Sequence, residues 1–251
     1  IKLIDELKIK NKKQTRKVWV RRLGRPNSDS IPKDAIQHFD RIVIPGDYLE
    51  PDLDFISNWK TEEVNITPPL ISISRDDLLP RGELRSRVGI SPNSKVALVS
   101  IGAGSINDIE DLRRFVVKGL TQRGITVVIA ESMLNPLEEK FDNPLVRVVN
   151  EYPIMRYRNC FDLAVLAGGY NSIHEAVLLR LPSIIIPNPS TGTDDQLGRA
   201  RYLADSGGFF VLEEDDIEML DLAIERICDD SVRSKMLDSI VDFETRLFNV
   251  T

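Results

Sequence analysis

The chain has little cysteine, little histidine and no long apolar run. Its only cysteines, Cys160 and Cys228, match neither zinc-ligand spacing nor a disulfide framework. His38 and His174 are the only histidines, which excludes a histidine-rich metal site. No apolar stretch approaches the ~20 residues that a membrane-spanning helix requires. We therefore expect a protein of a reducing compartment, located in the cytoplasm, without a metal ion.

The charge of the chain is acidic overall but unevenly distributed. The 251 residues carry a net charge of -6, which argues against a nucleic-acid partner. Residues 1–25 nevertheless contain ten basic side chains against Asp5 and Glu6. This basic segment predicts either peripheral contact with an anionic membrane surface or simply a solvated helix face.

The first part of the chain has no complete domain pattern. The chain begins with Ile1 rather than Met, and we expect it to be a fragment of a longer protein. Short strands are predicted at 17–21 and 41–45, followed by an irregular, proline-containing linker over 46–70. We interpret residues 1–65 as a partial N-terminal segment with a linker, and residues 66–251 as a ligand-binding domain.

Strands and helices alternate regularly through the second part. Alternation of this kind predicts an α/β fold, a doubly wound parallel sheet covered by helices on both faces. Ligands of such sheets bind at the carboxyl ends of the strands. The predicted strands are 96–101, 126–130, 145–149, 163–166, 183–187 and 209–212, and the predicted helices are 107–123, 173–181, 195–206, 215–229 and 231–247.

A glycine-rich turn follows the predicted strand at 163–166. It reads Gly168-Gly169-Tyr170-Asn171-Ser172 and leads into a predicted helix. Free backbone N–H groups and the helix dipole at such a turn favour a phosphate. Gly169 can adopt backbone angles that other residues resist. Asn171 and Ser172 suit phosphate contacts, but helix capping explains them equally well from local chemistry.

A second small-residue turn, Gly102-Ala103-Gly104-Ser105, follows the strand at 96–101. Its backbone could approach a phosphate closely, although a tight turn alone would give the same pattern. The third glycine of the dinucleotide fingerprint is missing, so we exclude NAD binding.

Four further polar positions lie near these turns. Glu175 falls in the predicted helix close to the mouth of the site, and a carboxylate there could accept hydrogen bonds from two ribose hydroxyls. Its alternative is a surface residue favoured by the helix dipole. Asp195 and Gln196 could face a ligand or form the polar first turn of a helix. His174 is more typical of a structural residue than of a ligand contact.

The run from Ala167 to Glu175 resembles the donor-binding signature of GT-B nucleotide-sugar glycosyltransferases, which reads His-Cys-Gly-Trp-Asn-Ser-x-x-Glu in plant and antibiotic-type members. Leu181-Pro182 and Asp195-Gln196 fall in register with the later parts of that signature. The segment from Pro187 to Ala200 is also similar to the family 28 C-terminal domain. Ala167 departs from the pattern, because many members have histidine there and use it on a phosphate.

The resemblance implies a role for each matching position. The diphosphate would lie at the glycine-rich turn, the ribose at Glu175, the base at the loop after the third strand, and the transferred sugar beyond the diphosphate. The implied substrate-binding residues are Gly102, Gly104, Ser105, Tyr152, Pro153, Gly168, Gly169, Asn171, Ser172, Glu175, Asp195 and Gln196.

The resemblance also implies an activity. The chain would be the donor domain of an inverting, metal-independent glycosyltransferase that uses a UDP-sugar or dTDP-sugar, with an unidentified acceptor and no other cofactor. The catalytic base usually lies on the other domain, so no residue here is assigned to it. Two alternatives are a donor-binding subunit of a split enzyme and a nucleotide-sugar hydrolase or epimerase on the same fold.

Overall fold

The computed structural model describes residues 16–22, 38–48, 64–102, 109–131, 141–189, 191 and 194–248. The chain forms two compact units. One unit contains residues 1–70 with 190–195, and the other contains residues 71–189 with 196–251. Most of the basic segment 1–25, together with Gly104 and Ser105, lies outside the described residues.

The smaller unit contains a parallel three-stranded sheet. Its strands are β1 (Val18–Val20), β2 (Arg41–Pro45) and β3 (Val64–Thr67), in the order β1-β2-β3. The prediction of an irregular linker over 46–70 is therefore wrong at its end. Ile42 pairs with Val64 in parallel register, so β3 depends on hydrogen bonds to β2 that its short, mixed sequence does not reveal.

The larger unit confirms the predicted doubly wound α/β fold. Six parallel strands form one sheet in the order β6-β5-β4-β7-β8-β9. All six strands were predicted to within one residue, because buried parallel strands read as short apolar runs. Their bounds are β4 (Val96–Ser100), β5 (Thr126–Ala130), β6 (Val146–Val149), β7 (Leu163–Ala167), β8 (Ser183–Ile186) and β9 (Phe209–Val211).

Six α-helices accompany this sheet in the described residues. They are α1 (Gly82–Arg87), α2 (Ile109–Gln122), α3 (Tyr170–Leu178), α4 (Gln196–Ala204), α5 (Leu220–Cys228) and α6 (Asp230–Phe248). Short 3-10 helices occupy Arg75–Asp77, Ile154–Cys160 and Glu214–Met219. The sequence did not predict α1, whose six residues are too few for a clear apolar period.

Both faces of the six-stranded sheet are covered. Val99 and Val165 belong to a core cluster with Val116 of α2 and Ile224 of α5. Alternate residues of the same strands, such as Leu98, are also fully buried. Because successive strand residues point to opposite faces, burial of both sets means that helices or loops cover each side.

A buried arginine closes the amino-terminal edge of the sheet. Arg85 donates hydrogen bonds to the carbonyl oxygens of Ser94, at 2.8 Å, and Cys160, at 2.9 Å. Its guanidinium also lies 3.3 Å from the carboxylate of Asp162, which accepts a 2.8 Å bond from the backbone N–H of Val96. Asp162 therefore holds the start of β4 beside the start of β7.

We expect Asp162→Ala to lower the free energy of unfolding by about 2–4 kcal/mol, because it leaves the buried Arg85 guanidinium without its carboxylate partner. Denaturant titration would measure the change. Asp205→Ala is the matched control, since Asp205 is an exposed aspartate in the same unit, and it should stay within about 0.5 kcal/mol of wild type. Equal effects of the two substitutions would contradict the anchoring role.

Candidate functional site

The strand order places two glycine-containing loops side by side. Chain order reverses between β4 and β7, which are adjacent in the sheet. The loops that leave these two strands begin at Gly102 and Gly168. Gly102 has a φ of +88°, and a Cβ placed on it would lie 3.6 Å from the Ala167 side chain. The two loops therefore meet at the crevice where open α/β sheets bind ligands.

Helix α3 begins earlier than its sequence suggests. The predicted helix started at residue 173, whereas α3 starts at Tyr170 with Gly169 as its N-cap. Asn171 and Ser172 thus lie inside the first turn, and the prediction that they cap the helix is wrong. Gly169 has φ -64° and ψ 153°, an ordinary extended conformation, so backbone freedom does not explain glycine here.

The first turn of α3 leaves backbone donors available. Its first helical hydrogen bond runs from the N–H of Ile173 to the carbonyl of Gly169, at 3.0 Å. The backbone N–H groups of Asn171 and Ser172 precede that bond and find no acceptor among the described residues. These amides, together with the positive end of the helix dipole, form an environment suited to an anion.

The two glycines of the turn have different surroundings. A Cβ on Gly168 would lie 3.0 Å from Pro187 and 3.2 Å from the Cβ of Gln196, so any other residue would force these neighbours to shift by a few tenths of an ångström. A Cβ on Gly169 would meet only the Ser172 hydroxyl, at 3.9 Å, among the described residues. The described part of the chain therefore leaves room above Gly169 for a ligand to approach the backbone.

The start of helix α4 packs directly against this turn. Gln196 opens the helix, and its side-chain oxygen accepts a 3.1 Å hydrogen bond from the backbone N–H of Asn188. One turn later, the guanidinium of Arg199 donates a 3.1 Å bond to the carbonyl of Gly168. Arg199 is 1% exposed, and its guanidinium lies 5.5 Å from the centre of the Tyr170 ring. No pattern in the sequence indicated this contact.

Glu175 is buried rather than exposed at the mouth of the site. Its side chain is 9% exposed, and its nearest described partner is the Ser72 hydroxyl, at 3.5 Å. Burial raises the pKa of the Glu175 carboxyl to about 7, although the hydrogen bond from Ser72 opposes the shift. A carboxyl group that ionises near neutral pH is typical of a functional site. Glu175 lies about one turn from the N-terminus of α3, the environment suited to an anion.

The opposite end of α3 is secured by arginines. Arg75 donates to the carbonyl of Leu178, at 2.9 Å, and Arg158 donates to the carbonyl of Leu179, also at 2.9 Å. Arg75 and Arg180 both pair with the buried carboxylate of Glu244 on α6. The negative end of the helix dipole therefore has cationic partners, whereas its positive end faces the glycine-rich turn.

The loop after β6 carries an exposed aromatic residue next to a set of hydrogen-bonded side chains. Tyr152 is 85% exposed and precedes Pro153, the residue that opens the 3-10 helix Ile154–Cys160. The neighbouring Glu151 accepts a 2.9 Å hydrogen bond from the Tyr157 hydroxyl and pairs with Arg87. Arg87 also donates to Tyr157, at 2.8 Å, so these three side chains form a closed set of hydrogen bonds.

The remaining predicted positions are less informative. His174 is fully buried against Tyr170, as expected of a structural histidine. Asp195 is half-buried directly before α4, in the segment that belongs to the smaller unit.

Among the described residues, no group of three or more histidine, cysteine or acidic side chains could hold a metal ion. None of the described helices has the length and apolar character needed to cross a membrane.

Solved structures with the same fold are glycosyltransferases and their complexes. The structure of Os79 from O. sativa in complex with U2F and trichothecene has a TM-score of 0.59, with 18% identity, 83% of this chain and 50% of that chain covered. Spinosyn rhamnosyltransferase SpnG complexed with thymidine diphosphate has a TM-score of 0.58, with 17% identity, 82% of this chain and 64% of that chain covered. At these identities, the likeness establishes the fold.

Curated relatives share a single name, UDP-N-acetylglucosamine--N-acetylmuramyl-(pentapeptide) pyrophosphoryl-undecaprenol N-acetylglucosamine transferase. The one from Mycobacterium sp. strain KMS is 28% identical over 160 residues, covering 62% of this chain and 43% of the relative. That from Prochlorococcus marinus strain MIT 9312 is 30% identical over 141 residues, covering 51% of this chain and 36% of the relative. The chain thus spans less than half the length of these relatives.

A family model matches the part of the chain that contains the glycine-rich turn, α3 and α4. The match covers residues 130–243 and identifies the glycosyltransferase family 28 C-terminal domain. It includes the strands β7 and β8 and the loops between them. Residues 130–243 of this chain are therefore similar to the glycosyltransferase family 28 C-terminal domain.

Proposed function

We propose that this chain is the donor-binding part of a glycosyltransferase that takes its sugar from a uridine diphosphate sugar. The observation that carries the proposal is the turn at Gly168 and Gly169. It lies at the switch point of the sheet, leaves the amides of Asn171 and Ser172 without described acceptors, and has no described residue close above Gly169 except the Ser172 hydroxyl. Uridine is favoured over thymidine because the matched relatives are named for UDP-N-acetylglucosamine.

Each part of the donor has candidate partners in this arrangement. The diphosphate would accept hydrogen bonds from the first turn of α3, with Gly102 beside it and Gly104 and Ser105 on the same loop. The ribose hydroxyls would donate to Glu175. Tyr152 and Pro153 would face the base, and Asp195 and Gln196 would bond hydroxyls of the transferred sugar. These assignments extend the family pattern to residues at the carboxyl ends of the strands.

The reaction we propose is inverting and independent of a metal ion. Backbone amides and a helix dipole can stabilise the charge that develops on a departing diphosphate, which is the task a metal ion otherwise performs. The acceptor and the general base are not assigned to any described residue. We also predict a cytoplasmic location and peripheral membrane contact through residues 1–25.

Calorimetric titration with UDP, UMP and ADP tests the donor assignment. We expect UDP to bind more tightly than ADP, because the proposed site recognises uracil. The two ligands share the diphosphate, so the difference in affinity reports on the base alone. UMP should bind more weakly than UDP, since it lacks one phosphate for the helix terminus. Equal binding of all three, or no binding, would contradict the proposal.

Gly169→Ala tests whether the diphosphate binds at the glycine-rich turn. The backbone angles of Gly169 allow alanine, and the added Cβ has no close described neighbour, so stability should change by about 1 kcal/mol or less. The same methyl would occupy the space proposed for the diphosphate. UDP affinity should therefore fall by about tenfold or more.

Glu175 gives a prediction of pH dependence. Because the pKa of its carboxyl is about 7 in the folded protein and 4.5 ordinarily, folding favours the protonated form. The resulting stability is fully present below pH 4.5 and is lost as the pH rises through about 7. Relative to Glu175→Gln, the wild type should therefore lose up to about 3 kcal/mol of stability between pH 5 and pH 8.

The same pair of proteins tests the ribose contact. Ribose hydroxyls bind best to the ionised carboxylate, so UDP affinity of the wild type should rise between pH 6 and pH 8. Ionisation of UDP itself affects both proteins, and Glu175→Gln therefore serves as the baseline. Glu175→Ala should weaken UDP by about 1.5–3 kcal/mol but leave 2′,3′-dideoxy-UDP unaffected. A mutant that still distinguishes ribose from dideoxyribose would contradict this role.

Gln196 is tested with two substitutions, because its side chain also holds Asn188. Gln196→Glu keeps an oxygen for the Asn188 N–H but replaces the amide donor with a negatively charged carboxylate, whose effect on the diphosphate is common to both ligands; Gln196→Ala removes both functions. If that donor bonds the sugar, both variants should lower the ratio of UDP-N-acetylglucosamine affinity to UDP affinity by roughly threefold to tenfold. Losses of the same factor for both ligands would show that Gln196 only holds the loop.

A further inference from the structure

Arg199 is a buried cation that contacts the backbone of the glycine-rich turn. Its guanidinium donates to the carbonyl of Gly168, at 3.1 Å, and lies 5.5 Å from the centre of the Tyr170 ring. It is 1% exposed, so its contacts are fixed by the surrounding protein. These two contacts involve the residues on either side of Gly169, above which the described residues leave open space.

The orientation of one peptide group follows from this contact. The peptide bond between Gly168 and Gly169 is trans, because Tyr152–Pro153 is the only cis peptide bond among the described residues. In a trans peptide the C=O and the N–H point in opposite directions. Because the Gly168 carbonyl points to Arg199, the Gly169 N–H points away from Arg199. That N–H has no acceptor among the described residues.

We infer that Arg199 is the positioning residue of the phosphate turn: by holding the Gly168 carbonyl, it aims the Gly169 N–H at the diphosphate as a third backbone donor beside the amides of Asn171 and Ser172. The inference rests on the proposed function. Arg199 acts through the backbone and does not itself contact the ligand.

The ring of Tyr170 supports the same geometry. A guanidinium over an aromatic face is held by attraction between the cation and the ring. Tyr170 is 3% exposed and is the first residue of α3. Arg199 therefore contacts both the residue before the N-cap and the residue after it.

Helix α4 provides the rigid support that this role needs. Gln196 and Arg199 are three residues apart and so lie on the same face of the helix. Gln196 packs beside Gly168 and holds Asn188, while Arg199 bonds the Gly168 carbonyl. A positioning residue on a helix keeps its geometry better than one on a loop.

The test uses Arg199→Met, which keeps length but removes every donor, and Arg199→Lys, which keeps a cationic donor. Arg233→Met is the matched control, because Arg233 is another buried arginine that donates to a carbonyl, that of Ile227, at 2.7 Å. Pyrophosphate and UDP would be titrated calorimetrically into each protein. Thermal unfolding and circular dichroism would be recorded for all of them.

We expect Arg199→Met to weaken both pyrophosphate and UDP by about tenfold, the factor for one lost hydrogen bond to a charged group. Arg199→Lys should recover affinity to within about threefold of wild type, which is less than full recovery because an ammonium is not planar. Arg233→Met should lower stability without changing either affinity. In nuclear magnetic resonance spectra, pyrophosphate should shift the Gly169 amide of the wild type but not that of Arg199→Met.

Other outcomes overturn the inference. Unchanged pyrophosphate affinity in folded Arg199→Met, or equal losses in Arg199→Met and Arg233→Met, would mean that Arg199 only supports the fold. If Arg199→Met does not fold, Arg199→Lys decides: an unshifted Gly169 amide with wild-type affinity would also overturn it. A wild-type protein that binds pyrophosphate but not UDP would contradict the proposed function alone, and one that binds neither would contradict both.

Discussion

The pairing of β4 with β7 is the constraint on which the rest of the site depends. Leu98 pairs with Ala164 and Ser100 with Leu166 in parallel register, so the two strands end at the same level of the sheet. The chain continues from β4 toward one edge and from β7 toward the other. The two connections therefore begin side by side and lead to strands on opposite sides of this pair, so the crevice at this point is a consequence of strand order rather than of any single side chain.

Gly168 lets the elements around the end of β7 pack closely together, because it has no side chain. It follows β7 directly, and the space that a side chain would need is taken by Pro187 after β8 and by Gln196 at the start of α4. One residue thus fixes how closely two strands and two helices approach. Gly169, by contrast, is not needed by packing or by backbone angles. Two adjacent glycines with identical chemistry serve different purposes, and only the second leaves the backbone accessible.

The sequence predicted the strands well and the helix ends less well, for a physical reason. A buried strand is recognised from its own residues, as with Leu163 to Ala167, because both faces are apolar. The start and end of α3 depend instead on partners far away in sequence. Arg75 holds the Leu178 carbonyl from 103 residues upstream, and Arg199 holds the Gly168 carbonyl from 31 residues downstream. No local pattern around residues 170–178 contains that information.

The candidate site residues likewise fall into those that the sequence motif predicted and those whose surroundings depend on residues far away in sequence. The glycines and Gln196 were predicted from motif spacing, and the fold brings Gly102, Gly168 and Gln196 together around one turn. The burial of Glu175, and with it a carboxyl pKa of about 7, depends on the segment containing Ser72 and could not be read from the motif. Arg199 was missed because an arginine three residues into a helix reads as a solvent-exposed position until its partner is known.

Arginine bonded to backbone carbonyl is the recurring support in this domain, and it explains how a site can consist of bare amides. Carbonyls at the ends of elements face inward and are satisfied by buried or half-buried guanidinium groups; the pairs are Arg85 with Cys160, Arg147 with Val88, Arg158 with Leu179, Arg199 with Gly168 and Arg233 with Ile227. A carbonyl held in this way fixes its peptide plane, and the N–H of the same peptide then faces the other side. The N–H groups of Phe161 and Arg180 each bond a carbonyl three residues back, and that of Cys228 lies within α5. At Gly169 the N–H precedes the first helical bond of α3, so the same support that stabilises the fold elsewhere leaves a donor that points away from Arg199 and has no acceptor among the described residues.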